Sequence, residues 1–417
     1  MDQTIRRSAG ACQATNAGGS PWTVADPLQE HLRRLVRHLI EQLLEAELDA
    51  ALGAGRYVRR DEDRRRGYRH AGRERTLTTS VGPTALRVPR GRLFPAESAG
   101  PREWQSMLLP RYRRRSRVVD ETVMGAYLAG ANTRRIRGAL QPLLKDAPLS
   151  KSAVSRVMRT LRESFEAWRT RAWAAESRPY LFLDAIAVKV RVDRRVQTVP
   201  VLVALGVDRQ GEKRLLAMRL MGSESRASWG ALVDDLVSRG LPAPVLVVID
   251  GNPGLRHAIG QAWPAAAVQR CVVHKLRNLE AHAPKRCLEE LRATFHAITE
   301  ADGERMARAA YARFLRTWRP RAESVARSLE EAGDELLTFF RFPRSQWKCI
   351  RTTNAIERVH EEFRRRLKTQ ASHPVEASVL RLFFALYHSG HIKLRRLDGW
   401  YDIPRVVAQR RDFASYP

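Results

Sequence analysis

The sequence predicts an α/β core built on a mixed sheet, three antiparallel strands and then an α-β-α-β run, with an all-helical insertion and mainly helical N-terminal domains. Three observations point there. Tyr180–Val192, Val199–Val207 and Leu215–Met221 are successive β-type runs joined by short polar turns, Asp193–Arg195 and Asp208–Gly211, as in a meander. Pro244–Asp250 is an almost fully apolar strand, as a sheet covered on both faces requires. From His274 to about Leu337 only helical spacing is found.

Taken in order, residues 1–25 are rich in Gly, Ala and Ser and read as a flexible N-terminus. A region from 26 to 117 follows, helical with short strands. Asp26 is a plausible N-cap and Pro27 suits the first turn, after which Leu32, Leu35, Leu39, Leu43, Leu44 and Leu48 recur at helical spacing until Gly53. Residues 56–75 form a basic run, and Thr76–Pro89 reads as two short strands joined at Gly82-Pro83. Arg111–Arg117 is a second basic cluster.

Residues 118–176 form a helical domain: Val118–Leu128, Thr133–Leu144, a Ser-capped turn at Pro148–Ser152, and a basic helix from Ala153 to about Arg171. This is the pattern of a helix-turn-helix. Lys151, Arg156, Arg159 and Arg162 are candidates for contact with phosphates; a plain three-helix bundle with a solvated face is the alternative.

The core occupies 177–273. After its three strands, Ser225 caps a helix to Ser238, the strand ending at Asp250 follows, then a helix over Gly254–Ala262 and a short strand at Ala267–Cys271. Three antiparallel strands and then α-β-α-β is the order of a ribonuclease-H-like fold. The helical insertion spans 274–340. The second part of the core spans 341–417, with a strongly basic helix at Thr352–Thr369, another at Val375–Ser389 and a basic, aromatic tail.

Lys and Arg total 74 against 45 Asp and Glu, a net charge of +29 with a sequence pI near 11.1. Solubility needs only a modest charge of either sign, so an excess of this size points to a polyanionic partner, nucleic acid above all. No stretch approaches the ~18 apolar residues of a membrane span. The N-terminus lacks the apolar region of a secretory signal, and the scattered Cys12, Cys271, Cys287 and Cys349 suit a reducing compartment rather than a disulfide scaffold.

Three carboxylates stand out. Asp184 lies in the middle of an apolar strand, where a charge is costly unless paired or metal-bound; an edge-facing Asp is the plainer reading. Asp250 ends a buried strand and leads into Gly251-Asn-Pro-Gly254. Ligands bind at that end of an α/β sheet, although an Asp there also serves as a turn or cap. Glu357 sits within the basic helix, with Glu361 one turn on. It is either a ligand or a counter-charge on a solvated face. Two divalent ions held by such oxygens can activate a water and stabilise a leaving oxygen in phosphodiester cleavage, with no general-base histidine required.

Six segments together resemble the Mutator-type family of bacterial insertion-sequence transposases: Ser80–Arg90, Ser150–Arg156, Leu183–Arg191, Ile249–Ile259, Gln269–His274, and Arg351–Glu357 with Arg364–Arg366. The last three are specific in their order and spacing. Asp184 and Asp250 are 66 residues apart and Asp250 and Glu357 107 apart, which leaves room for the family's helical insertion. The resemblance implies a DDE-type transposase with Asp184, Asp250 and Glu357 as catalytic and metal-binding residues and two Mg²⁺ (or Mn²⁺) ions as cofactor. Its partners would be DNA, both the element's terminal inverted repeats and the target. Lys189, Arg191, Arg351, Asn354, Arg358, Arg364, Arg365 and Arg366 become candidate DNA contacts. A homodimer or higher assembly at the synapsed ends, and a cytoplasmic, nucleoid-associated location, are implied likewise.

Cys271 and His274 match the family's C-x2-H signature. Two ligands are not the four of a structural zinc site, so packing near the site and contact with DNA both stay open. One departure is Ala185, where the family commonly has Gly after its first Asp. A DNA-binding regulator that no longer cuts, or a nuclease without strand transfer, are the competing readings on the same fold.

Overall fold

The computed structural model describes residues 26–58, 66–94, 100–128, 136–140, 144, 151–173, 177–192, 195–368 and 376–409. It divides into two compact units, Met1–Ala126 with Thr133–Val154 and Tyr127–Asn132 with Ser155–Pro417.

In the first unit α1 (Pro27–Leu52) starts as the sequence requires. The Asp26 side chain accepts the Leu28 N–H at 3.0 Å, and Gly53 ends the helix at φ +66°. Leu44, Leu48 and Leu52 are buried, whereas Leu32, Leu35, Leu39 and Leu43 are exposed. β1 (Gly67–Thr79) and β2 (Gly82–Leu93) pair antiparallel, and β3 (Arg102–Glu103) adds to β2. The expected short strands are therefore long, and their turn lies at Ser80-Val81 rather than Gly82-Pro83, because Thr79 pairs with Gly82. β1 also absorbs much of the basic run. Alternation lets Arg side chains leave a strand towards water, and Arg69 is steadied by Glu45 of α1 at 2.7 Å.

α2 (Arg117–Leu128), α3 (Ile136–Ala139) and α4 (Lys151–Arg169) fall in the three segments read as helices. Most of the turn expected at Pro148–Ser152 and much of the second helix lie outside the described residues. Leu161, Phe165 and Trp168 form the buried stripe of α4, leaving Arg156, Arg159 and Arg162 exposed.

The second unit holds β4 (Tyr180–Val192), β5 (Arg195–Val207), β6 (Lys213–Leu220), β7 (Leu246–Ile249) and β8 (Ala267–Arg270), in spatial order β6-β5-β4-β7-β8. The first three run antiparallel; β7 and β8 run parallel to β4. The centre of this mixed sheet is thus β4. α5 (Arg226–Ser238) and α6 (Pro253–Ala262) cover one face, where Trp229, Leu232, Leu255 and Ile259 pack with Leu181, Leu183, Val247 and Ile249.

The long helical stretch is α7 (Val272–His282), α8 (Leu288–Thr299), α9 (Glu304–Trp318) and α10 (Glu323–Ala332), followed by short 3-10 turns. Its return to the sheet is stitched by the fully buried Gln269 of β8. Nε2 donates to the carbonyls of Arg270 (2.6 Å) and Leu336 (3.1 Å), and Oε1 accepts the Phe339 N–H at 2.7 Å. A buried amide with its capacity so nearly filled specifies one docking geometry. The chain then forms α11 (Trp347–Ile350), α12 (Asn354–Lys368), α13 (Glu376–His388) and α14 (Ile403–Ala408). α12 and α13 pack on β4, locked together by Phe363 and Phe383, whose rings stack at 3.8 Å and 4°. Among the described residues no helix is long and apolar enough to cross a membrane.

Candidate active site

β4 and β7 are parallel neighbours, with Leu183 opposite Ile249. Asp184 follows Leu183 within β4 and Asp250 follows Ile249 where β7 ends, so the two carboxylates come just past the last paired rung of neighbouring strands. Ile249 in turn lies opposite Arg270, and the Cys271 N–H donates to the Ile249 carbonyl at 2.8 Å. Asp184, Asp250 and Cys271 therefore each follow a member of the paired row Leu183, Ile249 and Arg270. Leu181 and Leu183 face α5 and α6, so alternation turns Asp184 to the opposite face, where α12 packs. Asp184 is only 6% exposed. The edge-facing reading of this residue fails, because β4 is central.

The loop after β7 is shaped around Asp250. Gly251 has φ +111°, and a Cβ there would lie 2.6 Å from the Arg270 guanidinium, so only glycine fits. Asn252 caps α6 by accepting the Gly254 and Leu255 N–H groups at 2.9 and 3.2 Å. Asp250 Oδ1 accepts the Asn252 N–H at 2.9 Å. The turn reading and the ligand reading of Asp250 are thus compatible, since one oxygen suffices for the turn.

Glu357 is brought in by backbone and thiol contacts. Val272 N–H donates to the Arg351 carbonyl at 3.0 Å, and Thr353 donates to Cys271 Sγ through both N–H and hydroxyl at 3.3 Å. Thr353 also stands 3.4 Å from His274 Nδ1, and its carbonyl accepts the Glu357 N–H at 2.9 Å, starting α12. His274 Nε2 and Arg277 Nη1 each lie 3.6 Å from Glu357 Oε1. The C-x2-H pair therefore clamps the first turn of the helix that carries Glu357. Among the described residues no three His, Cys, Asp or Glu side chains are gathered closely enough to ligate one ion. Of the other two carboxylates, Asp250 acts on Asp184 more strongly than Glu357 does.

The electrostatics follow from burial and crowding. Burial, then the charges of Asp250 and Glu357, raise the Asp184 carboxyl to about 7, despite opposing help from His274 and the Ala185 N–H. His274 is raised to about 9, first by its hydrogen bond with Cys271 and then, against burial, by the charges of Cys271, Asp184 and Asp250. Burial pushes the Cys271 thiol up, but hydrogen bonding and charge from His274 and the Thr353 hydroxyl bring it below its ordinary value. Burial and then the Asp250 charge raise Glu224, on the loop before α5.

Two residues of this site were not foreseen. Thr353 lies inside the Arg351–Glu357 segment, but as a neutral residue before a helix it draws no role from the sequence. His360, three residues after Glu357, is 1% exposed, with Nδ1 3.5 Å from Asp184 Oδ2; burial, Arg364 and His274 push it down to about 3. The i,i+3 spacing from Glu357 is the sequence signal for His360, whereas Glu361 at i+4 is exposed.

The candidate phosphate contacts are dispersed. Lys189, Arg156, Arg159, Asn354, Arg358, Arg364 and Arg365 are exposed, and Arg366 is half-buried. Arg365 reaches Glu362 at 2.6 Å, and the half-buried Arg351 donates through Nη1 to the Thr299 carbonyl at 2.7 Å. The side chains of Lys151 and Arg191 lie outside the described residues.

Residues 15–396 match the family model described as "Transposase, Mutator family". The chain is 36% identical over 347 residues to the transposase for insertion sequence element ISRM5 of Rhizobium meliloti, covering 82% of each. It is 37% identical over 360 residues to the transposase for IS1081 of Mycobacterium tuberculosis, covering 85% of this chain and 82% of that one. The transposase for IS256 in transposon Tn4001 of Staphylococcus aureus is 28% identical over 331 residues, covering 79% of this chain and 82% of that one. A solved structure, the Drosophila P element transposase strand transfer complex, aligns over 70% of this chain and 84% of its own at 10% identity, with a TM-score of 0.28.

Proposed function

The chain belongs to the Mutator family of transposases, and from that premise we propose that it binds the terminal inverted repeats of its element, hydrolyses a DNA strand to free a 3′-hydroxyl, and joins that hydroxyl to target DNA. The observation that carries this reading is that Asp184 and Asp250 directly follow the paired Leu183 and Ile249 of neighbouring parallel strands, with the helix of Glu357 tied to Cys271 just past β8. The sheet order, three antiparallel strands extended by two parallel ones, supports a ribonuclease-H-like core.

The donor set fits a hard divalent cation such as Mg²⁺ or Mn²⁺. All three groups offer carboxylate oxygens, and the Asp184 carboxyl is raised first by burial and then by the neighbouring charges of Asp250 and Glu357, both of which a bound cation would offset. Asp184, Asp250 and Glu357 would hold two such ions, which when bound supply an activated water and stabilise the leaving oxygen. Asp184 must give up its proton to serve. Asp250 is oriented by the Asn252 N–H, and Glu357 by the Cys271–Thr353–His274 clamp. Exposed Arg358, Arg364 and Arg365 would grip phosphates of bound DNA. Synapsis of two element ends calls for a dimer or larger assembly.

The test is cleavage and joining of a labelled element-end duplex with Mg²⁺ by the wild type and by Asp250→Asn. Wild-type cutting and joining, with a mutant that binds but does not react, is expected. If both bind and neither reacts with Mg²⁺ or Mn²⁺, a non-catalytic DNA-binding protein is the better reading. Cutting without joining would make it a nuclease, and equal cutting by both removes Asp250 from the site.

A further inference from the structure

Among the described residues His360 is the imidazole whose ring nitrogen approaches an Asp184 oxygen, and the three-carboxylate reading gives it no task. It sits on α12, one helical step of three from Glu357, so the same helix face meets the strand that carries Asp184. Its side chain is 1% exposed. Nδ1 lies 3.5 Å from Asp184 Oδ2, slightly longer than a formed hydrogen bond. Nε2 is buried with no hydrogen-bond partner among the described residues. An unsatisfied buried nitrogen is destabilising, whereas a Leu or Met would fill the same space without stranding a polar atom. Packing alone therefore does not account for an imidazole here.

Asp184 has few other anchors. Its Oδ1 accepts the N–H of the next residue, Ala185, at 2.9 Å, and His360 is the side chain that approaches Oδ2. The ring thus stands between the strand of one carboxylate and the helix of another. Both must hold their relative position if they are to share ions.

We propose that His360 is a positioning residue that, by donating its Nδ1–H to Asp184 Oδ2, fixes the rotamer of that carboxylate and the spacing between it and Glu357. This rests on the three-carboxylate reading. Groups that orient metal-binding side chains in this way typically matter 10–100-fold for affinity or activity.

The experiment uses Mn²⁺ alone as probe, on the full chain without DNA, and follows the loss of the free-ion electron paramagnetic resonance signal. Asp250→Asn is the control. Three variants are compared: His360→Asn, whose amide nitrogen falls near the Nδ1 position, His360→Gln, whose amide reaches the Nε2 position, and the apolar His360→Leu. The expected result is Mn²⁺ affinity within about threefold of wild type for Asn, and at least tenfold weaker for Gln and Leu. The Mn²⁺ concentration for half-maximal strand cleavage should move in parallel. Should Leu fail to fold, Asn against Gln carries the same comparison. Wild-type affinity in Leu or Gln overturns the proposal, and so does equal loss in folded Asn and Gln, because the donor position would then be irrelevant. If the wild type binds Mn²⁺ no better than Asp250→Asn, the three-carboxylate site itself fails and the role of His360 with it.

Discussion

At the scale of single residues, Asp184 is the most consequential feature. A carboxyl at 6% exposure, next to a second carboxylate, carries a folded-state pKa of about 7 against an ordinary value of 3.8. The sign follows directly. Below about pH 4 the group is protonated whether the chain is folded or not, so it has no effect. Between 4 and 7 the folded chain holds a proton that the unfolded chain has released. Stability then falls as pH rises, by up to about 1.4 kcal/mol per unit, and levels off above 7. Asp184→Asn removes that penalty. In metal-free buffer it should unfold at a higher urea concentration than the wild type at pH 8, with the gain nearly gone at pH 4. A gain of equal size at both pH values would mean that the Asp184 charge is not what destabilises the fold.

At the scale of elements, the helix of Glu357 is held by few contacts of high specificity, and the same is true of the seam between β8 and the end of the helical stretch. Gln269 satisfies the Leu336 carbonyl and the Phe339 N–H from a fully buried position. Gln269→Leu leaves both without a partner, and each stranded group costs about 1–3 kcal/mol. A loss of roughly 2–5 kcal/mol in denaturant unfolding is expected. Gln269→Glu should be damaging too, since it keeps the acceptor for Phe339 but loses the donor for Leu336. A loss under about 0.5 kcal/mol for Gln269→Leu would show that the seam is held by its apolar neighbours instead.

At the scale of the whole molecule, the +29 charge sets how the chain meets a polyanion. Binding to an element-end duplex should weaken steeply with salt, and each phosphate contact removed should lower the slope of log affinity against log salt by about one. Arg364→Ala with Arg365→Ala tests whether the exposed face of α12 makes such contacts. The pair should cut the slope by roughly 1–2 and weaken binding to all sequences alike. An unchanged slope would place the DNA elsewhere on the chain. A changed sequence preference would mean that these side chains read bases rather than backbone.

The sequence by itself determined most of the larger elements and their order, though not β3 or α14: the Asp26 cap and Gly53 stop of α1, the three-strand meander, the apolar strand before Asp250 and the helices after His274. Those signals are local, residing in periodicity, caps and turn residues, and so are readable without a partner in view. It also singled out Asp184 and Asp250, because a charge in an apolar strand is conspicuous in one dimension. What only the tertiary structure decided was non-local. The β4–β7–β8 register aligns Leu183, Ile249 and Arg270, which brings the residues that follow them, Asp184, Asp250 and Cys271, to one end of the paired rungs. The turn of β1 into β2 came two residues early because pairing across the hairpin, not the Gly-Pro dipeptide, fixes where the chain reverses. Cys271 and His274 gained a task only when Thr353, some 80 residues away, was folded against them, and His360 only when α12 packed on the central strand. Which side chain meets which across a sheet face depends on alternation and docking together, and no local pattern encodes the second of these.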